Sequence, residues 1–122
     1  MVIDVEQDAD ENERAADRVF HALADTTRRD IVVRTLQAEH SVSALARLYP
    51  MSFPAVHKHV GVLERAELVT KRRRGREQLV VGNIDAIRRA SRLLDDLEVL
   101  WRARIDRMGE ILAEDPAGGG SA

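Results

Sequence analysis

Apolar residues recur in four helical runs, then in two short β-rich runs, then in one long helical run. The first run is Arg14–Ala24, where Ala15, Val19, Ala22 and Leu23, joined by Phe20, form a stripe at helical spacing. Asp25 stands where an N-cap belongs, and Thr26 to about Ala38 predicts a second helix with Ile31, Val32, Thr35 and Leu36 inward. Its Asp-Ile-Val-Val stretch also has strand propensity. Helix is preferred because the cap precedes it and no turn signal interrupts it before Glu39-His40-Ser41. Ser43–Leu48 predicts a short third helix, with Leu45 and Leu48 inward and Ala46 small enough to admit a neighbouring helix. Pro50 disfavours helical geometry at Tyr49, so Tyr49-Pro50-Met51 stops it.

Ser52–Ala66 predicts the fourth helix. Ser52 is its N-cap, and Pro54 falls in the first turn, where a missing N–H does least harm. Val56, Val60 and Leu63 make its buried stripe, and Val62 widens it. The opposite face carries His57, Lys58, Gly61 and Arg65, with His59 at its edge. Leu68–Arg74 and Arg76–Gly82 are β-rich runs separated by Gly75, which can take a positive φ at a hairpin tip. Asn83 or Asp85 then caps a last helix to about Ala113, where Ile87, Ala90, Leu94, Leu97, Trp101, Ile105, Met108 and Leu112 advance by threes and fours. That seam lasts about seven turns, more than a small domain can cover, so a second subunit is its natural partner. The fold class is mainly α with a small β-hairpin. A short helix, a break, a longer basic helix and a charged hairpin make a winged helix-turn-helix.

Composition changes this picture in one respect. The net charge of −2 argues against a polyanion partner, but its distribution reverses that. Ser41–Arg76 holds eight basic residues and two acids, a charge of +6, while the rest holds 11 basic and 19 acidic residues, a charge of −8. A basic module in an acidic chain is the footprint of nucleic acid. Arginine outnumbers lysine 17 to 2 throughout, so a single Arg carries little weight. With 122 residues and few aromatics (Phe20, Tyr49, Phe53, Trp101), one domain with a Leu, Val, Ile and Ala core is expected. Met1–Glu13, with six acids and no base, reads as an acidic flexible tail, residues 14–113 as the DNA-binding and dimerisation domain, and Glu114–Ala122 as a second flexible tail. The absence of cysteine excludes disulfides and thiolate metal sites and fits a reducing cytoplasm. No run suits a membrane span, and the acidic N-terminus does not resemble a signal peptide, so a cytoplasmic location is expected.

The candidate DNA-binding residues follow from position. Ser52 and the following backbone N–H groups would meet phosphate at a helix N-terminus. His57 and Lys58 are candidates for base edges, and Phe53 and Pro54 for thymine methyls. Arg72, Arg73, Arg74 and Arg76 at the hairpin tip would hold phosphates or enter the minor groove. His57 and His59 lie two apart, about 200° around a helix, and cannot chelate one ion. His21 and His40 are isolated, and neither metal nor cofactor is expected. No nucleophile–base constellation or phosphate-cradling loop suggests an enzyme. The competing class is a winged-helix protein-interaction module, an antitoxin or scaffold subunit, which explains the apolar seam but not the clustered charge.

FHALADTT (Phe20–Thr27), SVSALA (Ser41–Ala46), MSFPAVHKHVGVLERAELV (Met51–Val69) and the RRRGR tip together resemble an ArsR/SmtB-type winged-helix regulator over about residues 14–113. The resemblance implies a homodimeric bacterial repressor, paired through its first and last helices and bound to an inverted repeat in a promoter. Val19, Phe20, Leu94, Leu97, Trp101, Ile105, Met108 and Leu112 are then the expected dimer interface. The sequence departs from the metal-sensing members. Val42–Arg47 has no Cys-x-Cys pair, and the last helix has no histidine, so the chain resembles the non-metal branch. Thr26 stands where the family usually has proline. An effector, small molecule or protein, is left open.

Overall fold

The computed structural model describes the backbone of residues 5–113 and the side chains from residue 10 onward. The order is α1 (Val5–Leu23), α2 (Thr26–Gln37), β1 (His40–Ser41), α3 (Val42–Ala46), α4 (Phe53–Arg65), β2 (Val69–Arg74), β3 (Glu77–Gly82) and α5 (Ile84–Ala113). The described residues form two compact units that divide between Ala90 and Ser91.

In the first unit, side-chain caps set the helix starts. Asp25 accepts from the Arg28 N–H at 3.0 Å, Ser41 from Ala44 at 3.0 Å and Ser52 from Ala55 at 3.2 Å. Each satisfies a backbone donor that the first helical turn leaves without a partner. Ile31, Leu45, Val56, Val60, Leu63, Leu68 and Val80 are fully buried together, and Ala22, Val32, Val42, Ala86 and Ala90 close the cluster. The core is thus aliphatic; Phe20, Phe53 and Trp101 all lie outside it at 37%, 49% and 57% exposure. Thr35 is the one buried polar residue among those described, and its hydroxyl donates to the Ile31 carbonyl at 2.8 Å.

Five expectations need correction. Leu36, expected inward on the second helix, is 40% exposed. The acidic segment expected as a tail is helical from Val5. Glu, Gln and Ala are good helix formers, and carboxylates near a helix N-terminus complement its dipole. The expected tail beyond Ala113 lies outside the described residues. The sheet has three strands, in the order β1-β3-β2, because His40 and Ser41 pair with Val80 and Leu79. The third helix ends at Ala46, two residues early, so Leu48 is exposed. Val19 is 4% exposed and packs in this unit's own core, so it is not available to a second subunit.

Two backbone features join α4 to the sheet. Glu67 takes a left-handed φ of 61° just after the α4 C-cap, where glycine is usual. The Leu68 N–H donates to the Leu63 carbonyl at 3.0 Å, and Asn83 Nδ2 donates to the Glu67 carbonyl at 2.9 Å, which holds that turn. Asn83 also starts α5, its Oδ1 accepting from the Asp85 N–H at 3.2 Å. In the second unit, the α5 stretch from Ser91 carries Leu94, Leu97, Trp101, Ile105, Met108 and Leu112, all exposed.

Candidate nucleic-acid interface

The turn between α3 and α4 is pinned from α2. The Tyr49 hydroxyl donates to Asp30 Oδ2 at 2.6 Å, and Arg34 Nε donates to the same oxygen at 2.8 Å. The Arg34 guanidinium also lies 6.0 Å from the centre of the Tyr49 ring. The Tyr49 hydroxyl, and after it Arg34, holds the Asp30 carboxyl below its usual range. Burial, and then the Asp30 bond, pushes the Tyr49 phenol up to about 12.

From this turn α4 presents two unlike faces. Val56, Val60 and Leu63 are fully buried, whereas Ser52, Phe53, Pro54, His57, Lys58 and Arg65 are exposed. Phe53 and His57, four apart, bring their ring centres to 6.1 Å and make one exposed ledge beside Lys58. His59 falls on the flank that turns inward and is half-buried. There its Nδ1 is 3.3 Å from Arg28 Nη1 and 4.0 Å from Asp25 Oδ2. The sequence placed His59 only at the edge of the basic face; its partners lie over 30 residues away and left no local signal.

The wing has a two-residue tip, Gly75-Arg76, closed by the pair Arg74 and Glu77. Gly75 takes a φ of 61°, while Arg76 is not left-handed, the arrangement of a type II′ turn. Strand alternation divides the basic run. Lys71 and Arg73 share one face, and Arg72 and Arg74 share the other. Lys71 Nζ sits 3.4 Å from Glu64 Oε1 with only 15% of its side chain exposed. Arg72 is also engaged, with Nη2 2.6 Å from Glu39 Oε1. Arg73 Nε donates to the Gly75 carbonyl at 3.3 Å, folding that side chain over the tip. No ion pair involves Arg73, Arg74 or Arg76 among the described residues, and all three are exposed. The wing therefore offers three arginines directly and a fourth once Glu39 releases it.

Behind the wing, a groove of about 410 Å³ is lined by Glu64, Glu67, Lys71, Asp85 and Arg89. Its charges are largely spent on one another, through Lys71–Glu64 and the 3.1 Å Arg89–Glu67 pair. Among the described residues, no group of three or more His, Asp or Glu side chains is placed to hold a metal ion. No described helix is long and apolar enough to cross a membrane.

A pinned turn, a helix with one exposed basic face and an arginine-tipped hairpin define a winged helix-turn-helix regulator. No protein-family model matches the chain. The chain is 37% identical over 99 residues to the HTH-type transcriptional regulator Rv2034 of Mycobacterium tuberculosis, covering 81% of itself and 90% of that protein. An ArsR-like transcriptional regulator from Rhodococcus sp. RHA1 has a similar structure, with a TM-score of 0.74, 29% identity, and coverage of 81% and 93% of the two chains. The homodimeric winged helix-turn-helix domain of Mb0332 from Mycobacterium bovis shares the fold, with a TM-score of 0.62, 24% identity, and coverage of 80% and 91%. The chain belongs to the ArsR/SmtB-type family of winged-helix transcriptional regulators.

Proposed function

We propose that this regulator is a cytoplasmic homodimeric repressor that binds an inverted-repeat operator through α4 and the wing. The observation that carries this is that one segment of charge +6 leaves exposed both a Phe53–His57–Lys58 ledge on α4 and the arginines of the wing tip. Ser52 and the first turn of α4 approach a phosphate; His57 and Lys58 read base edges; Phe53 and Pro54 touch thymine methyls. Arg73, Arg74 and Arg76, joined by Arg72, hold the backbone and set affinity more than sequence. Residues 14–113 act as one DNA-binding and dimerisation domain. The exposed seam Leu94, Leu97, Trp101, Ile105, Met108 and Leu112, with the 37%-exposed Phe20, supports pairing with a second copy. A homodimeric protein of the same fold, Mb0332, supports it too. Two-fold symmetry then spaces the recognition helices about one DNA turn apart, and repression follows from blocking polymerase.

Selection from a random duplex pool tests this. An inverted repeat with half-sites about 10 base pairs apart, centre to centre, is the expected product. An enriched single half-site overturns the dimer, and no enrichment at low or moderate salt overturns sequence-specific binding.

A further inference from the structure

One side chain ties three helices of the first unit together. Arg28, in the first turn of α2, donates from Nε to the Ala22 carbonyl at 2.7 Å and from Nη2 to the His21 carbonyl at 3.2 Å, so it closes the C-terminus of α1. Its remaining nitrogen, Nη1, lies 3.3 Å from His59 Nδ1 on α4. Asp25, the N-cap of α2, has its Oδ2 4.0 Å from the same ring nitrogen. The Arg28 amide bond holds the Asp25 carboxyl below its usual range, with His59 and the Arg28 charge adding to the effect, so Asp25 stays ionised wherever histidine titrates.

We propose that Arg28 and His59 form a pH-sensitive clasp that seats the recognition helix and thereby sets its discrimination between DNA sequences. This role presupposes the DNA-binding reading above. Neutral His59 with its proton on Nε2 offers the Nδ1 lone pair to Arg28, and α4 is held to the end of α1. A proton added at Nδ1 turns that nitrogen into a donor facing another donor. The bond to Arg28 is lost, and the nearest acceptor is the Asp25 carboxylate. Arg28 stays anchored by its two α1 carbonyls, so the ring, and α4 with it, is the part that reseats toward the N-cap of α2. Arg28 and Asp25 are the charged groups within 4.0 Å of the ring Nδ1 among the described residues, both from the N-terminal end of α2. From α1 the neighbouring groups are the carbonyls that Arg28 binds, and His21 carries an exposed side chain there.

Fluorescence anisotropy with wild-type protein and His59→Gln, from pH 8 to 5.5, tests the clasp. The probes are a duplex selected by the protein at pH 8 and a scrambled duplex of equal length. The substituted glutamine amide keeps an acceptor for Arg28 and cannot take a proton. The wild type is expected to lose on the order of tenfold in preference for the selected duplex on acidification, the scale of one charged hydrogen bond, while the His59→Gln variant holds its preference. Equal pH dependence in both proteins overturns the clasp and hands the effect to His57 or His21. Absence of any selected duplex at pH 8 overturns the DNA-binding reading instead. The clasp is then judged by imidazole nitrogen NMR of the free protein, which also serves if the His59→Gln variant fails to fold. A bare Nδ1 at pH 8 and a shift of the Arg28 side-chain resonance on acidification support it. A protonated Nδ1 at pH 8, or an unmoved Arg28, overturns it.

Discussion

Arg72 answers to two anions. Its guanidinium is 2.6 Å from Glu39, and in the proposed DNA complex it would exchange that carboxylate for a phosphate. The pair is exposed on both sides, so it is weak and easily exchanged. Its effect falls on weak encounters, where the gain from one phosphate is small. Glu39→Gln is therefore expected to raise affinity for scrambled DNA a few-fold and for a selected operator less, as read by anisotropy at fixed salt; an unchanged affinity for both would mean that Arg72 stays off the DNA. Tyr49 is a second residue with a readable role. The Asp30 stabilisation is present above the unfolded carboxyl value of 3.8 and is lost as pH falls through the lower folded value. The Tyr49 stabilisation is present below its unfolded value of 10.0 and is lost as pH rises toward about 12. Tyr49→Phe removes the shared bond, at a cost of about 1 kcal/mol or less at neutral pH, since the Asp30 side chain is 45% exposed. Urea melts across pH should show the alkaline loss vanish and the acid loss shrink to what Arg34 sustains. A variant with wild-type midpoints at every pH would detach Tyr49 from the stability of the turn.

At the scale of elements, α2 and β3 meet at closer range than any side chain allows. A Cβ built on Gly82 lies 2.8 Å from the backbone nitrogen of Leu36 and equally close to its Cγ and Cδ2. Gly82→Ala must push the helix off the sheet, an overpacking cost of about 1–3 kcal/mol that denaturant melts will show. A stability equal to wild type would mean the contact relaxes freely. Helices α2 and α4 were legible in the sequence because Asp25 and Ser52 announce their starts and because Ile31, Val32, Val56, Val60 and Leu63 keep helical spacing. Strand β1 was not legible, since two residues, His40 and Ser41, have no period to detect; the strand exists only through its pairing with Val80 and Leu79. The early start of α1 was hidden by its polarity, for an acidic run without an apolar stripe looks like solvated tail. Within the candidate interface, Lys71 counts toward the +6 charge of Ser41–Arg76. Strand alternation turns it instead toward Glu64, a contact that spacing along β2 implies but the charge count obscures.

For the whole molecule, the decisive quantity is where charge and apolar surface are left uncovered. A chain of net charge −2 keeps a +6 segment, and in the first unit that segment exposes its arginines at the tip and its aromatic at the head of α4. The second unit exposes leucines and the tryptophan along α5, with the Arg104 guanidinium 6.0 Å from the centre of the Trp101 ring. These are different surfaces with different chemistry, one suited to a polyanion and one to another apolar helix. If two copies together bring six unpaired wing arginines to phosphates, counterion release predicts a logarithmic salt slope on the order of −5. The most direct test is that slope, measured by anisotropy on a duplex of fixed sequence between low and physiological salt. Wing arginines seated on phosphates give a steep negative slope that becomes shallower by about one for each contact removed by Arg73→Ala or Arg74→Ala in the dimer. A shallow slope, or one that the wing substitutions leave unchanged, would contradict that seating and take the wing out of the interface.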